Sequence, residues 1–489
     1  MKLFLAGLLI LSVLCGCREP HSLPRAELTG DPIEALPRHF VTETDRGARF
    51  EARQGESHDQ ENPIYVGTVI DRVTNMPIEG AAVTLSSTLA VTNAKGDFRV
   101  AGIGSTIRIR APGYMRRDLD ASQERQRPKK MGLTPFKPKA LYLSFFGIGS
   151  KALREPALKL LDETELNALV IDVKGDRGMI SFKTGTPLAQ VIGSEKQTTI
   201  RDIGSLMTSL KTKNIYTIAR IVVFKDDPLA MARPDLAVRT ANGGIWRDNE
   251  RLGWADPFNK EVWDYNIEIA IRAADAGFDE IQFDYVRFPD ARSLTFSMQN
   301  TQENRLKAIS GFLMEARRRL VPYNVFLSAD VFGYVCWNLD DTGIGQRLED
   351  LFPALDYISP MLYPSAFQYG IPGHRNPMVH PYEIVYFSLK QAMERTKASP
   401  VRFRPWLQAF HDYAFDRRHF GAVEIRAQID AAETLGSGGW MLWNPRNVYS
   451  AAGLKPEHTL LSLNFPHSLS IQERLLAIGG IGVEGHAKR

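Results

Sequence analysis

Cysteine is almost missing from this chain: three residues in 489, at Cys15, Cys17 and Cys336. The first two adjoin an N-terminal apolar stretch, so no pair remains to staple a mature domain and a disulfide framework is excluded. Cys336 sits between Val335 and Trp337, without a histidine nearby in sequence, and reads as a small buried hydrophobe rather than a nucleophile. Charge of one sign is scarce as well. The net charge of +4 is too small over this length to argue for nucleic acid. The 10 histidines form no H-x-x-x-H pair suited to zinc, so a metal-dependent deacetylase, a third option, has little support. His374 and His380 lie in a Pro-rich loop and read as loop residues. No cofactor is expected. With 44% apolar and 24% charged residues, what remains is an ordinary soluble globular composition, long enough for two domains plus linkers.

The N-terminal apolar run covers residues 3–14 behind Lys2. It is shorter than the roughly 20 residues a membrane-spanning helix needs and reads as a secretory signal, 1–16. The small residues before Cys17 resemble the lipobox of bacterial lipoproteins. That resemblance implies acylation of Cys17, a membrane anchor and an extracytoplasmic location. Arg18, rather than Asp, follows the cysteine, which makes an outer membrane the expected site if the host has two. A plain signal peptide cut nearby is the alternative.

Residues 17–62 are polar and weakly periodic, a flexible tether. Residues 63–120 change character: short alternating segments are punctuated by Asn75-Met76-Pro77, Lys95-Gly96-Asp97 and Pro112-Gly113. Short strands with regular turns imply a small all-β sandwich. The segment resembles the carboxypeptidase regulatory-like domain, whose role is that of a spacer or binding accessory. Residues 121–138, rich in Pro, Arg and Lys, read as a linker.

From 139 to 465, apolar strands alternate with amphipathic helical segments. Strands are expected at 140–146, 168–173, 216–222, 280–284, 325–330, 357–361, 403–407 and 439–443. Helices are expected at 200–213, 260–276, 304–320, 382–395 and 424–435. Eight buried strands separated by helices predict an α/β fold, a (β/α)8 TIM barrel. An open doubly wound sheet is the alternative, though no Gly-rich phosphate loop follows the first strand. Residues 466–489 are a tail with a short helix at 471–477.

Active sites of such barrels sit at the C-terminal ends of the strands. Those ends carry Asp172, Arg220, Asp284, Arg287, Asp330, Tyr363, Gln408, Trp443 and Asn444. Polar groups among aromatic rings suit sugars. Asp284 and Asp330 end neighbouring strands, which lie about 4.8 Å apart. Glycoside hydrolysis uses two carboxyl groups, and a gap of about 5–5.5 Å favours a retaining mechanism. In that scheme Asp284 is the nucleophile and Asp330 the acid/base; the other possibility is that they are structural partners of Arg220 or Arg287. Asp172 either holds a substrate hydroxyl or caps a loop. Arg287 either orients a carboxylate or ties down its loop. Tyr363, Gln408, Trp443 and Asn444 are candidate sugar contacts or rim packing. Trp246, Trp254 and Asp256 lie in the long excursion after the third strand, as a stacking platform or as anchors.

The segments Leu169-Val170-Ile171-Asp172-Val173-Lys174, Gly277-Phe278-Asp279-Glu280-Ile281-Gln282-Phe283-Asp284-Tyr285-Val286-Arg287-Phe288-Pro289 and Ile358-Ser359-Pro360-Met361-Leu362-Tyr363-Pro364 resemble the putative glycosyl hydrolase domain family, grouped with α-amylase-like barrels. The resemblance implies the barrel and a glycosidase, with a strand-four Asp as nucleophile. Related enzymes often offer Glu on strand five where this chain has Asp330, so Glu280 and Asp290 stand as fallback acids. The function expected is an extracytoplasmic hydrolase of a poly- or oligosaccharide. A barrel lipoprotein that binds glycan without cleaving it is the alternative.

Overall fold

The structure is a computed structural model that describes residues 63–122 and 129–456. The signal segment, Cys15, Cys17, the tether at 17–62 and the C-terminal helix expected at 471–477 lie outside the described residues. Among the described residues, no helix is long and apolar enough to cross a membrane.

The N-terminal module is built from β1 (Ile64–Asp71), β2 (Ala82–Leu85), β3 (Thr88–Val91), β4 (Asp97–Ala101), β5 (Thr106–Arg110), β6 (Arg117–Asp120) and β7 (Lys129–Leu133). In β1 and β4 buried residues alternate with more exposed ones, the period of a strand with one face on a core. The strands form two sheets, ordered β4-β1-β7 and β3-β2-β5-β6, around a core that includes Tyr65, Val69, Leu85, Phe98, Ile107 and Ile109. The stretch read as linker needs correction. It contains β7, which pairs in parallel with β1 and buries Met131 and Leu133 in the sandwich core. Two apolar residues spaced two apart among lysines and prolines carry that strand, and their signal is masked by the charge around them.

The barrel follows as β8 (Lys139–Leu143), α1 (Phe145–Gly149), α2 (Lys151–Glu163), β9 (Ala168–Lys174), α3 (Pro187–Ile192), α4 (Ile203–Thr212), β10 (Tyr216–Val222), α5 (Asp227–Ala232), β11 (Arg239–Thr240), α6 (Lys260–Ala276), β12 (Glu280–Asp284), β13 (Leu294–Thr295), α7 (Gln302–Leu320), β14 (Phe326–Phe332), α8 (Leu348–Leu351), β15 (Tyr357–Met361), α9 (Pro381–Thr396), β16 (Trp406–Gln408), α10 (Ala422–Thr434) and β17 (Trp440–Trp443). β9 and β10 are buried along their whole length, as parallel strands covered on both faces require. The ring order β8-β9-β10-β12-β14-β15-β16-β17 returns to β8, so the sheet is closed and the open doubly wound alternative is ruled out. The short β11 and β13 pair with each other outside the ring.

Local chemistry sets the element ends. Ser144 stops β8 three residues short of expectation, because its hydroxyl accepts from the Gly147 amide and starts α1. The Asn259 side chain opens α6 and Gly277, at φ +100°, closes it. The seventh strand begins at Trp406 rather than 403: Pro405 has no N–H to give a ladder, and Phe403 makes only an isolated bridge to Ile358.

Side chains alternate inward and outward along each strand. Ala140, Tyr142, Val170, Ile218, Phe326, Tyr357, Trp406 and Met441 fill the ring, while a larger cluster packs strands against helices. At the N-terminal end the interior is polar. Glu280 accepts from the single Nη1 of Arg404 at both carboxylate oxygens, at 2.8 and 2.7 Å, with hydroxyl bonds from Tyr216 and Ser328. The sandwich docks on this same end. Arg110 reaches Asn324 at 3.0 Å and Asp356 at 3.4 Å, the Gly113 amide donates to the Tyr357 hydroxyl, and Arg116 pairs with Asp279. Asp279, Asn324 and Asp356 each precede a barrel strand, so the base is covered and the opposite mouth is left for chemistry.

Candidate active site

The inward positions at the C-terminal strand ends are Tyr142, Asp172, Arg220, Asp284, Asp330, Trp406 and Trp443. Arg220 ties them together. Its Nη1 donates to Asp172 at 2.7 Å, its Nε and Nη2 donate to one oxygen of Asp284 at 2.9 and 2.6 Å, and Nη2 also reaches Asp176 at 2.8 Å. Burial opposes a charge on Arg220, but the carboxylates of Asp172, Asp284 and Asp176 outweigh it and hold the guanidinium protonated beyond its ordinary range. The other oxygen of Asp284 accepts from the Tyr285 amide at 2.6 Å. Tyr285 itself sits at φ +48°, a left-handed conformation unusual for a bulky residue and typical of positions that serve function.

Asp330 lies one residue past the last β12–β14 pairing, Phe283 with Ala329, as Asp284 does on its own strand. The two carboxyls therefore stand side by side. Asp330 is 1% exposed and Asp284 4%, so both sit at the floor of the mouth. The Trp406 indole donates to one Asp330 oxygen at 2.8 Å; the other is buried without a partner. Burial, and next the negative charge of Asp284, push Asp330 well above the carboxylate range. Asp172 accepts from the Tyr142 hydroxyl at 2.8 Å and the Phe145 amide at 3.0 Å. Burial pushes it up to about 6, with Asp176 adding to the rise and Arg220 opposing it.

Around this floor the rim is aromatic. Trp443 stacks on Tyr142 with centroids 4.0 Å apart, and the Arg220 guanidinium lies over it at 5.1 Å. Tyr363 is half-buried and meets Phe410 edge-on; burial and the charges of Asp330 and Asp284 raise its hydroxyl well above its ordinary value. Arg287 lies over Trp254, Tyr285 and Phe332.

Of the residues expected at the site, Asp172, Arg220, Asp284, Asp330, Tyr363, Trp443 and Arg287 gather at the mouth, and three do other work. Asp256 accepts from the amides of Phe258 and Ser297, so it fixes two loops. Gln408 is fully buried, with both amide ends spent on Ser365 and Phe410. Asn444 spends its amide on the carbonyls of Ala409 and Val448. Polar residues that cross-link loops carry the same letters as residues that bind sugar, and sequence cannot part them. Arg220 is likewise 1% exposed and acts by positioning carboxylates. Glu280 is lost as a fallback acid, because its ion pair with Arg404 is sealed at the other end of the barrel. Trp254 is a buried anchor whose indole donates to Asp248, whereas Trp246 is half-buried. Tyr142, Asp176 and Trp406 were not singled out from sequence. Counting back by twos from Gln408, or on by fours from Asp172, would have found two of them.

A family model described as putative glycosyl hydrolase domain matches residues 140–449. The chain belongs to the putative glycosyl hydrolase domain family. The match spans the barrel from β8 to past β17 and so includes every mouth residue named above. No curated protein matches the chain. Among solved structures, a hypothetical protein from Ruminiclostridium thermocellum is 41% identical and has a TM-score of 0.36, covering 39% of this chain and 97% of that one. The PgaB (BpsB) glycoside hydrolase domain from Bordetella bronchiseptica is 15% identical, with a TM-score of 0.47, over 64% of this chain and 95% of that one. The spore cortex-lytic enzyme SleL from Bacillus megaterium is 14% identical, with a TM-score of 0.39, over 73% of this chain and 77% of that one.

Proposed function

We propose that this chain is an extracytoplasmic glycoside hydrolase that cleaves a polysaccharide with retention, using Asp284 as nucleophile and Asp330 as acid/base. The observation that carries the reading is a pair of neighbouring carboxyls in opposite situations. Asp284 is ion-paired with Arg220 at 2.6 Å, while Asp330 is pushed by burial and by Asp284 toward keeping its proton. Such a division assigns the roles of acid and nucleophile. Asp330 gives its proton to the glycosidic oxygen as the bond to the anomeric carbon breaks. Asp284 closes on that carbon to form a glycosyl ester. Asp330, now a carboxylate, takes a proton from water, whose oxygen displaces Asp284 and releases the sugar. Arg220 steadies Asp284 through two bonds, and Tyr363 and Trp443 offer rings to the sugar faces. Family membership supports the same reading.

The test is release of reducing ends from defined polysaccharides, with Asp284→Asn and Asp330→Asn as controls and the anomer of the first product read by proton NMR. Product of inverted configuration would remove the nucleophile role of Asp284, and no turnover on any polymer would remove the enzyme. We further read Cys17 as a lipidation site that anchors the chain in an outer membrane, and the β1–β7 module as an accessory spacer. Metabolic labelling with palmitate, lost in Cys17→Ala, checks the anchor.

A further inference from the structure

Arg287 follows Asp284 by three residues and is a cation of the mouth that makes no ion pair among the described residues. Its guanidinium lies 4.9 Å from the Trp254 ring centre, 5.0 Å from Tyr285 and 4.6 Å from Phe332. Its Nη1 donates to the Phe288 carbonyl at 3.1 Å. No carboxylate of the described residues comes within 4.0 Å of it. Four other arginines held in the barrel, Arg220, Arg305, Arg395 and Arg404, each pair with a carboxylate. Lys225, whose ammonium shares the Tyr285 ring at 5.1 Å, is matched by Glu250 at 2.9 Å and Asp248 at 3.3 Å.

The rings that hold Arg287 are themselves fixed. Trp254 is buried and hydrogen-bonded to Asp248, and Tyr285 is set by its left-handed backbone. Three rings orient the guanidinium yet satisfy few of its five N–H donors, since stacking uses the faces and leaves the edge. A planar fork held rigid beside a sugar cleft, half-buried and with no carboxylate in direct contact, is complementary to a carboxylate, which it can take with two parallel bonds.

We infer that Arg287 forms a subsite for the carboxylate of a uronic acid, and that the polymer cleaved is an acidic polysaccharide. This rests on the hydrolase reading for its cleavage half and on Arg287 alone for its binding half. The test uses the full chain carrying Asp284→Asn, so that polymer binds without turnover. Its migration is followed by affinity electrophoresis through polygalacturonate, alginate or hyaluronan, each beside its carboxyl-reduced counterpart. At least one uronate should bind about ten-fold or more tightly than its reduced form, the size expected of a charge-assisted bond. Adding Arg287→Met, whose aliphatic stem keeps contact with the rings, should abolish that preference, and Arg287→Lys should keep part of it. Thermal melts confirm that the variants are folded. If no uronate binds better than its reduced form, or if Arg287→Met keeps the preference, the inference is overturned. Failure of the wild-type chain to release reducing ends from this uronate or any other polymer would sink the hydrolase reading and leave the subsite standing.

Discussion

The indole N–H of Trp406 donates to one oxygen of Asp330 at 2.8 Å, and the second oxygen of that carboxyl is buried with no partner. A neutral acid tolerates this arrangement, whereas a carboxylate beside Asp284 does not. Asp330→Asn keeps the Trp406 bond and the shape but cannot donate an acidic proton. Turnover should fall by roughly 10²–10⁴. Stability at neutral pH should stay level or rise, because a buried site poised for catalysis is relieved. Calorimetry beside the rate assay checks both, and a marked loss of stability would contradict the assignment.

The pH profile follows from the same residue. Asp330 is raised, so its proton persists above the ordinary carboxylate range and is lost as pH climbs through the raised value. The alkaline limb of kcat/KM should therefore belong to Asp330. In Asp330→Asn any residual activity should lack that limb.

Asp172 makes a prediction about stability. Its folded value is about 6 against an ordinary 3.8, so between those values the native state binds more protons than the unfolded chain. Stability attributable to this group is thus present at low pH and lost as pH rises through that window, by up to about 3 kcal/mol. Urea melts between pH 4 and 7 should show a shallower fall for Asp172→Asn than for wild type. A steeper fall would reverse the sign.

Glu280 and Arg404 form a sealed pair at the covered end of the barrel, so they should matter for folding and not for chemistry. Glu280→Gln leaves a buried guanidinium uncompensated and should cost about 3–5 kcal/mol. The rate per folded molecule should be unchanged. A loss of turnover at full stability would restore Glu280 as a catalytic candidate.

Cys336 is fully buried and burial pushes its thiol up to about 12. It should resist alkylation by a thiol reagent in the native protein and react at once in denaturant.

How much of this was legible beforehand depends on the residue. The strands at 216–222, 280–284 and 357–361 coincide with their expected bounds. β7 was hidden because only Met131 and Leu133 signal it among charges. Asp284 and Asp330 were readable as neighbours because parallel topology alone puts the ends of β12 and β14 together. The Arg220 hub, with Asp172, Asp176 and Asp284 all on one guanidinium, was not readable, because it depends on strand stagger and on which side chain reaches across. The loop duties of Asp256, Gln408 and Asn444 were hidden for the same reason.

The ring is completed only where β17 meets β8, and beyond that seam Asn447 reaches the Tyr142 carbonyl across 305 positions of sequence. A ribosome emitting this chain releases β8 long before its mate. Until then the growing sheet carries a raw flank of unmet amides, open to wrong partners. Truncation between β8 and residue 443 should accordingly yield aggregates rather than a smaller working enzyme, and the chain's need for holding factors during synthesis should be greatest in that interval.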